Sequence, residues 1–425
     1  EYRRQRQMCI RDRLYVYLQR PDTHEWVTVG KWAKKADETF GTFVYAPSYL
    51  EAAHPWAIDP ANLPLIADTT YLAHRYQGLH DVLRDTCPDA WGRALINRRE
   101  GLRHDAADVV YLEKAGNSDR WGALAVGRSR KPAVATLRVP RLGQLELLVR
   151  ELQAMAMHKP PIDAAMRKTL TSSPSLGGAR PKSTVLDDDG IHWLVKPRLN
   201  TDITDVPWVE YFAMQWGAKA GMRFAETVLH ADSDAPTVLR IRRFDRMAGH
   251  RNMAISAASL LGTEYPNGDT ERWSYPLLAQ ALRKIGAPPE DLQELFNRMV
   301  FNGVVRNDDD HPRNHAAIYD ADARCWRLSP AFDVVPNMAD DDARPAPLMM
   351  QLSLGRRDVS RDSILADAVH FGFRSREMAA VHLDKLLDRI EAAFPEDIAQ
   401  AMPQGLAGQL RDQTRASMRV LRKHK

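Results

Sequence analysis

Apolar and polar positions alternate with period two along the first part of the chain. Leu14-Tyr15-Val16-Tyr17-Leu18 is β-rich, Pro21-Asp22 marks a turn, and Trp26-Val27-Thr28-Val29-Gly30 reads as the returning strand. Phe40 to Tyr45 supplies a third strand, and Pro55, Pro60 and Pro64 mark a loop. Asp89 is placed to cap a helix carrying Trp91 and Leu95 on one face, at i and i+4. Residues 13–130 are therefore predicted to form a small α+β module with Trp91 and Trp121 in its core. Arg128 to Pro140, basic and punctuated by proline, suits a linker. A helix over Leu142 to Met157 stops at Pro160-Pro161.

Period two returns at Ser183-Thr184-Val185-Leu186 and at Ile191-His192-Trp193-Leu194-Val195-Lys196. The connection, Asp187-Asp188-Asp189-Gly190, ends in an Asp-Gly pair that accepts the positive φ of a tight turn. Alternation puts Ile191, Trp193 and Val195 on one face and His192, Leu194 and Lys196 on the other. Asp205 and Pro207 open a helix carrying Val209, Phe212, Met214, Trp216 and Ala220, and Gly221 ends it. Glu210 is read in its first turn, either complementing the helix dipole or pairing with Lys196. Thr237 to Ile241 is a strand that runs into Arg242-Arg243-Phe244-Asp245-Arg246, read as a crossing between two lobes. Beyond about residue 250 the period becomes helical. Pro276–Ile285, Pro289–Val305, Ser375–Ala393 and Pro403–Leu421 are predicted helices, and Leu348 to Gly355 a strand or buried loop.

Composition narrows the class. A chain of 425 residues holds two or three domains. Its three cysteines, Cys9, Cys87 and Cys325, lie far apart, with neither metal-ligand spacing nor a disulfide framework, which fits a reducing compartment. No apolar run approaches the roughly 20 residues that span a bilayer, and the N-terminus lacks the apolar core of a signal peptide. The expected location is the cytoplasm, with no membrane partner. A net charge of +4 is too small to argue for nucleic acid. Residues 1–12 show no periodicity and are treated as a disordered or artefactual tail.

The candidate chemistry lies in Asn307-Asp308-Asp309-Asp310-His311-Pro312-Arg313-Asn314, followed by Ser329-Pro330-Ala331-Phe332-Asp333. Adjacent carboxylates repel one another and sit poorly in a core. Here they fall between an apolar helical pattern ending at Val304-Val305 and the strand-like Ala316-Ala317-Ile318-Tyr319. Polar loops held between core elements are where catalytic groups tend to sit. Upstream, Ser172-Ser173-Pro174-Ser175-Leu176-Gly177-Gly178-Ala179-Arg180-Pro181-Lys182 is a small-residue loop preceding the hairpin that carries Lys196. Taken alone, a Gly-Gly loop is an ordinary turn and Lys196 an ordinary surface lysine. Together they are the parts phosphoryl transfer uses: backbone N–H groups and a lysine for phosphates, side-chain oxygens for Mg²⁺, and a carboxylate for the hydroxyl proton. The order of these parts implies an α+β, two-lobed protein-kinase-like fold. It has a small N-terminal α+β subdomain over 13–130, a linker and β-rich N-lobe over 131–248, and an all-α C-terminal lobe over 249–425.

The motifs carry a family resemblance. The chain resembles the HipA-type serine/threonine kinases, toxins of bacterial type II toxin–antitoxin systems, over nearly its whole length from about residue 13. The resemblance rests on Cys87-Pro88-Asp89-Ala90-Trp91-Gly92-Arg93, Asp119-Arg120-Trp121-Gly122-Ala123-Leu124, Ser175 to Lys182, Lys196-Pro197, Arg243-Phe244-Asp245-Arg246, Asp309 to Asn314 and Ser329 to Asp333. It implies ATP and Mg²⁺ as cofactors and Asp309 as catalytic base, with His311 bracing the loop or touching phosphate. Asn314 and Asp333 become Mg²⁺ ligands. The ATP-binding set is Ser175, Leu176, Gly177, Gly178, Ala179, Lys182, Lys196, Arg242 and Phe244, with adenine against the backbone of 242–244. Ser175 matches the autophosphorylated serine that switches such kinases off, and Ser173 is a second candidate. A phosphoserine there adds roughly −1.5 to −2 charge where ATP phosphates belong. The implied partners are a helix-turn-helix antitoxin (HipB-like), DNA through that antitoxin only, and a protein substrate such as an aminoacyl-tRNA synthetase. Two positions depart from the pattern: Arg242 stands where family members can carry an acid, and Asp310 where a small residue is common. The Asp-x-His-x-x-Asn spacing, shared with phosphoinositide kinases, selects Asp309 over Asp310 as base.

Two other readings stay open on sequence alone. One is a catalytically quiet subunit of a DNA-bound repressor complex, supported by Arg128-Ser129-Arg130-Lys131 and the basic C-terminus. The other is a small-molecule or lipid kinase.

Overall fold

The N-terminal strands pair as their alternation requires. In the computed structural model, which describes residues 10–103, 106–136, 138–172, 180–232, 235–247, 249–266, 268–339 and 344–422, five strands form one antiparallel sheet. They are β1 (Ile10–Gln19), β2 (Trp26–Lys35), β3 (Gly41–Tyr45), β4 (Tyr71–Ala73) and β5 (Leu124–Gly127), in the order β4-β3-β2-β1-β5. The chain divides into two compact units. The first runs up to Lys196 and again from Arg243 to Ile255, and the second comprises Pro197–Arg242 and the chain from Ser256 on.

In the first unit the sheet buries Leu14, Val16, Leu18, Val29, Trp32 and Phe43. Pairing starts at Ile10, opposite Lys35, and so reaches into the stretch read as a tail. Helix α1 (Ala90–Glu100) starts as expected: the Asp89 carboxylate accepts from the Gly92 N–H at 2.7 Å, and Gly101 ends the helix at φ 64°. The two tryptophans expected in the core are only half-buried. The inward positions of α1 belong to Leu95 and Ile96, a different phase of the helix from Trp91. Helices α2 (Leu145–Ala156) and α3 (Ala164–Ser172) follow. They are tied by Glu151, fully buried, which accepts from the N–H groups of Ile162 and Asp163 at 2.9 and 3.0 Å and from Arg167 Nε. Strands β6 (Ser183–Leu186) and β7 (His192–Pro197) form the predicted hairpin. Asp187 organises its turn, accepting from Ile191 N–H at 2.8 Å and Trp193 Nε1 at 2.7 Å, and Gly190 takes φ 80°.

Two of the motifs meet in this unit. Arg243 donates to both carboxylate oxygens of Asp245 at 3.0 and 2.8 Å, to Asp119, and to Thr184 Oγ1 at 3.0 Å. Asp245 also accepts from the Gly122 N–H at 2.9 Å and from Arg246 at 2.7 Å. Arg246 reaches the carbonyl of Arg120, whose own guanidinium donates to the carbonyls of Thr86 at 3.0 Å and Ala115 at 2.8 Å. All five charged residues are buried. Burial alone would push the Asp245 carboxyl up, but Arg243 and Arg246 hold it well below the usual carboxylate range. Buried charges persist only when paired and hydrogen-bonded in this way. Arg243 to Arg246, read from sequence as a crossing between lobes, is thus a polar anchor locked to Asp119-Arg120-Trp121-Gly122.

The second unit is helical apart from two hairpins. Helix α4 (Val206–Lys219) is capped by Asp205, which accepts from Trp208 N–H at 3.3 Å and Thr237 Oγ1 at 2.6 Å. Glu210 lies beyond the first turn and is buried, which removes the reading as a dipole complement. Strands β8 (Thr227–His230) and β9 (Val238–Arg242) pair antiparallel. Helices α5 (Tyr275–Lys284) and α6 (Pro289–Val305) occur as predicted. Every residue of α6 from Glu294 to Val305 is buried, so this helix is the core of the unit rather than an amphipathic flank. After the acidic loop, β10 (Ala316–Asp320) and β11 (Cys325–Leu328) form a hairpin, bearing out the strand-like reading of Ala316-Ala317-Ile318-Tyr319. Helices α7 (Arg376–Ala392) and α8 (Leu406–Leu421) complete the unit. The last begins at Leu406 rather than Pro403, because Gly405 at φ 86° breaks the chain direction there. Leu348 to Gly355 is a loop segment, buried at Leu348 and from Met350 to Ser353 and exposed at Leu354 and Gly355, with an isolated bridge from Ser274 to Gln351.

Candidate catalytic loop

The acidic loop begins where α6 ends. Arg306, the residue after the helix, takes the left-handed conformation at φ 57°, and its N–H closes onto the Asn302 carbonyl. A glycine is the usual residue there. The Arg306 side chain is instead buried, donating to Ser417 Oγ at 3.2 Å. The Arg306 carbonyl then accepts from the N–H groups of Asp308 and Asn337, each at 3.0 Å.

The three consecutive aspartates have three environments. Asp308 accepts from Asn337 Nδ2 at 2.6 Å. Asp309 faces outward and is exposed. Asp310 is 1% exposed, and both of its oxygens are taken: one accepts from the Tyr275 hydroxyl, the other lies 2.6 Å from His315 Nε2. Asp310, which stands where a small residue is common, is therefore an interior carboxylate. Asp309 is the aspartate free to meet a hydroxyl outside the loop. Its carboxyl is pushed up to about 6, first by partial burial and then by the charges of Asp333, Asp308 and Asp310.

The rest of the loop is closed around this arrangement. Asn314 Nδ2 donates to the Asp309 carbonyl at 3.1 Å, which turns the amide oxygen the other way. His311 Nδ1 accepts from the Arg313 N–H at 3.2 Å, and its ring lies against Tyr265 with centroids 3.8 Å apart. Burial holds the His311 imidazole down at about 4, so it is neutral at physiological pH and suited to bracing rather than to pairing with a phosphate. Asp333 sits at φ 59°. A non-glycine residue in the left-handed region costs of order 1 kcal/mol, least for Asn and Asp. Holding a carboxylate there is a local strain of the kind that collects at functional sites. The inner side of the loop is packed: the cavity bordered by Arg298, Asn302, Asn307, Asp310, Asn314 and His315 is only about 10 Å³.

The other candidates fall elsewhere. Ser173, Ser175, Leu176, Gly177, Gly178 and Ala179 lie outside the described residues. Lys182 and Lys196 belong to the first unit and are both buried. Lys182 Nζ stands 3.7 Å from the carboxylate of Asp89, the residue that caps α1. Burial pushes the Asp89 carboxyl up to about 6 in spite of that lysine. Arg242, at the end of β9, is exposed and pairs with Glu226 at 3.0 Å. Its N–H donates to the Glu226 carbonyl, and the Arg243 N–H to the His192 carbonyl, so an adenine meeting this backbone would find both donors occupied. The Phe244 carbonyl accepts from Asn252 Nδ2 at 2.9 Å. Sequence reasoning missed Tyr265, Tyr275 and His315. Only His315 carries a signal: it stands five residues after Asp310, as Asn314 stands five after Asp309.

The donors present suit a hard cation. Asn314 and Asp333 offer an amide and a carboxylate oxygen, and Mg²⁺ takes one or two such side chains with phosphates and water filling the remainder. The mutual repulsion of Asp309 and Asp333 is what a cation would relieve. Among the described residues no three His, Cys, Asp or Glu side chains gather as metal ligands.

This arrangement also gives a pH expectation. The folded Asp309 pKa lies above the ordinary 3.8, so the folded loop favours the protonated carboxyl. Its contribution to stability is present below about pH 4 and is lost as pH rises through about 6. Carboxyl-carbon NMR of the nucleotide-free protein should find Asp309 titrating near 6, and lower in Asp333→Asn. A value of 4 or less in the wild type would show that the two carboxylates do not share a field.

Known proteins bear on the same residues. Residues 24–127 match the HipA N-terminal domain, and residues 174–401, more than half of the chain, match the HipA-like C-terminal domain. The HipA chain of a Shewanella oneidensis MR-1 complex of HipA, HipB and operator DNA superposes with a TM-score of 0.69 at 15% identity, covering 96% of each chain. The proinflammatory kinase CtkA of Helicobacter pylori superposes at 0.42 with 14% identity, over 56% of this chain and 88% of its own. A Sinorhizobium fredii protein named "Putative kinase Y4dM" is 28% identical over 158 residues, which is 34% of this chain and 37% of that protein's length. With both halves matched in order and the fold shared along its length, the chain belongs to the HipA family.

Proposed function

We propose that this protein is an ATP- and Mg²⁺-dependent protein serine/threonine kinase of the toxin type, restrained by a helix-turn-helix antitoxin. The observation that carries the reading is the division of labour in the acidic loop: Asp309 outward, Asp310 sealed and doubly bonded, Asn314 tied to the Asp309 carbonyl. Asp309 accepts the proton of the attacking hydroxyl. A carboxyl with pKa near 6 is ionised at physiological pH yet more basic than an ordinary aspartate. Asn314 and Asp333 hold Mg²⁺, which when bound neutralises charge on the transferring phosphate. Lys196 and Lys182 supply positive charge for the ATP phosphates, and His311 keeps the loop in shape. Ser175, and Ser173 beside it, are the sites of self-modification, which by charge alone would oppose ATP phosphates in that loop. The Shewanella HipA is seen with HipB and operator DNA, which supports an antitoxin partner that brings this chain to DNA indirectly. Cytoplasmic action is part of the reading. Among the described residues no helix is long and apolar enough to cross a membrane.

The substrate class is tested by phosphoproteomics after induced expression. New phosphoserine or phosphothreonine on a translation component such as an aminoacyl-tRNA synthetase, absent with Asp309→Asn, is the expected result. A phosphorylated metabolite or lipid with an unchanged phosphoproteome would replace the protein-kinase reading by a small-molecule one. Growth inhibition that survives Asp309→Asn and Asp333→Asn would point to a non-catalytic, DNA-bound role.

A further inference from the structure

Asp310 has a structural setting that its motif does not explain. Its carboxylate is interior and ends a chain of polar contacts: Asn302 Nδ2 donates to the Tyr275 hydroxyl at 2.8 Å, Tyr275 donates to one Asp310 oxygen, and His315 Nε2 meets the other at 2.6 Å. Tyr275 is fully buried, and its ring packs edge-on to His315 with centroids 5.2 Å apart. The His315 carbonyl in turn accepts from the Ala257 N–H at 2.8 Å. Two links of the same span therefore run side by side across the loop. The inner one joins the side chains of Asp310 and His315, and the outer one joins the Asp309 carbonyl to the Asn314 side chain at 3.1 Å. The outer link is a single, partly buried hydrogen bond beside the exposed Asp309. The inner one is desolvated, so its partners have no water to turn to and its geometry is the firmer of the two.

We infer that Asp310, with Tyr275 and His315, is a positioning clamp that sets the separation of Asp309 and Asn314 from behind. This rests on the reading of Asp309 as base and Asn314 as metal ligand. Asp310 touches no reactant; it acts through the backbone on either side. Its neighbours Asp309 and Asn314 are displaced when the clamp is cut, and displacements of about 1 Å in such groups cost up to about 10²-fold in rate.

The test uses the full-length protein and three variants, Asp310→Ala, Asp310→Asn and Tyr275→Phe. Asp310→Ala should lower kcat for phosphate transfer roughly 10–100-fold while the KM for ATP moves less than about threefold, because ATP phosphate contacts are made by other residues. The Mg²⁺ concentration for half-maximal rate should rise in Asp310→Ala. Asp310→Asn, which keeps the shape and an acceptor for Tyr275, should recover most of the loss, and Tyr275→Phe should fall between. A purely structural role would lower the melting temperature and the active fraction, which lowers apparent kcat at unchanged KM. The kcat is therefore referred to titrated active sites, and a purely structural role would leave that corrected kcat and the Mg²⁺ dependence at wild-type values. Hydrogen–deuterium exchange provides a readout independent of activity. The peptide covering 307–315 should exchange at least tenfold faster in Asp310→Ala, with α6 unchanged. Unchanged exchange in that peptide, or full kcat in a folded Asp310→Ala, overturns the clamp. An inactive wild type would overturn the kinase reading instead, and the exchange result would still decide the clamp.

Discussion

Arg243→Ala is expected to cost the first unit about 3–5 kcal/mol, the usual result of removing one partner from a buried ionic cluster. Arg243 bonds both carboxylates, Asp119 and Asp245, so its removal takes a neutralising partner from two interior negative charges at once. Arg246 still touches Asp245, at 2.7 Å and through one carboxylate oxygen, whereas Arg243 bonds both. A loss of that size lowers the melting midpoint of a unit of this size by roughly 6–20 °C. Arg243→Lys should recover little, since one ammonium cannot bond both oxygens of Asp245 and reach Asp119 as the guanidinium fork does. Calorimetry of the two variants beside wild type measures this. A shift under 2 °C for Arg243→Ala would mean that water enters the cluster.

The second large effect is chemical. Asp309→Asn should reduce phosphate transfer by about 10²–10⁴-fold, the range general-base removal produces, while leaving the fold intact, because Asp309 is exposed. Asp333→Asn should be of comparable severity for a different reason, loss of a Mg²⁺ ligand, and part of its loss should be recovered at raised Mg²⁺. Asp309→Asn should not respond to Mg²⁺ at all. Single-turnover rates across a Mg²⁺ series separate the two. If both variants keep wild-type rates, neither aspartate has the role given to it.

Much of this was legible in the sequence because it is local. Period-two runs gave β1 to β3 and the β6–β7 hairpin, and Asp89, Asp205 and Ser375 sit at the N-caps expected of them. What failed was a matter of phase and distance. Trp91 misses the buried face of α1, and Glu210 is the fifth residue of α4, just past the first turn its dipole reading required. The Arg243–Asp119 pair spans 124 positions, and Tyr275–Asp310 spans 35. No periodicity connects such residues. Buried polar networks are assembled by the tertiary fold, and their members look like surface charge until they are seen bonded. The acidic run shows the difference: as a string, Asp308, Asp309 and Asp310 differ only in their spacing to His311 and Asn314, and it takes burial and partners to make Asp308 a tether, leave Asp309 exposed and make Asp310 an interior anchor.

Equilibrium binding to the purified full-length protein shows directly whether these parts serve Mg²⁺ and ATP. Titration calorimetry with ATP should show Mg²⁺-dependent binding by wild type, strongly weakened in Asp333→Asn and retained in Asp309→Asn. Wild-type protein that neither binds nor hydrolyses ATP with Mg²⁺ present would contradict the account.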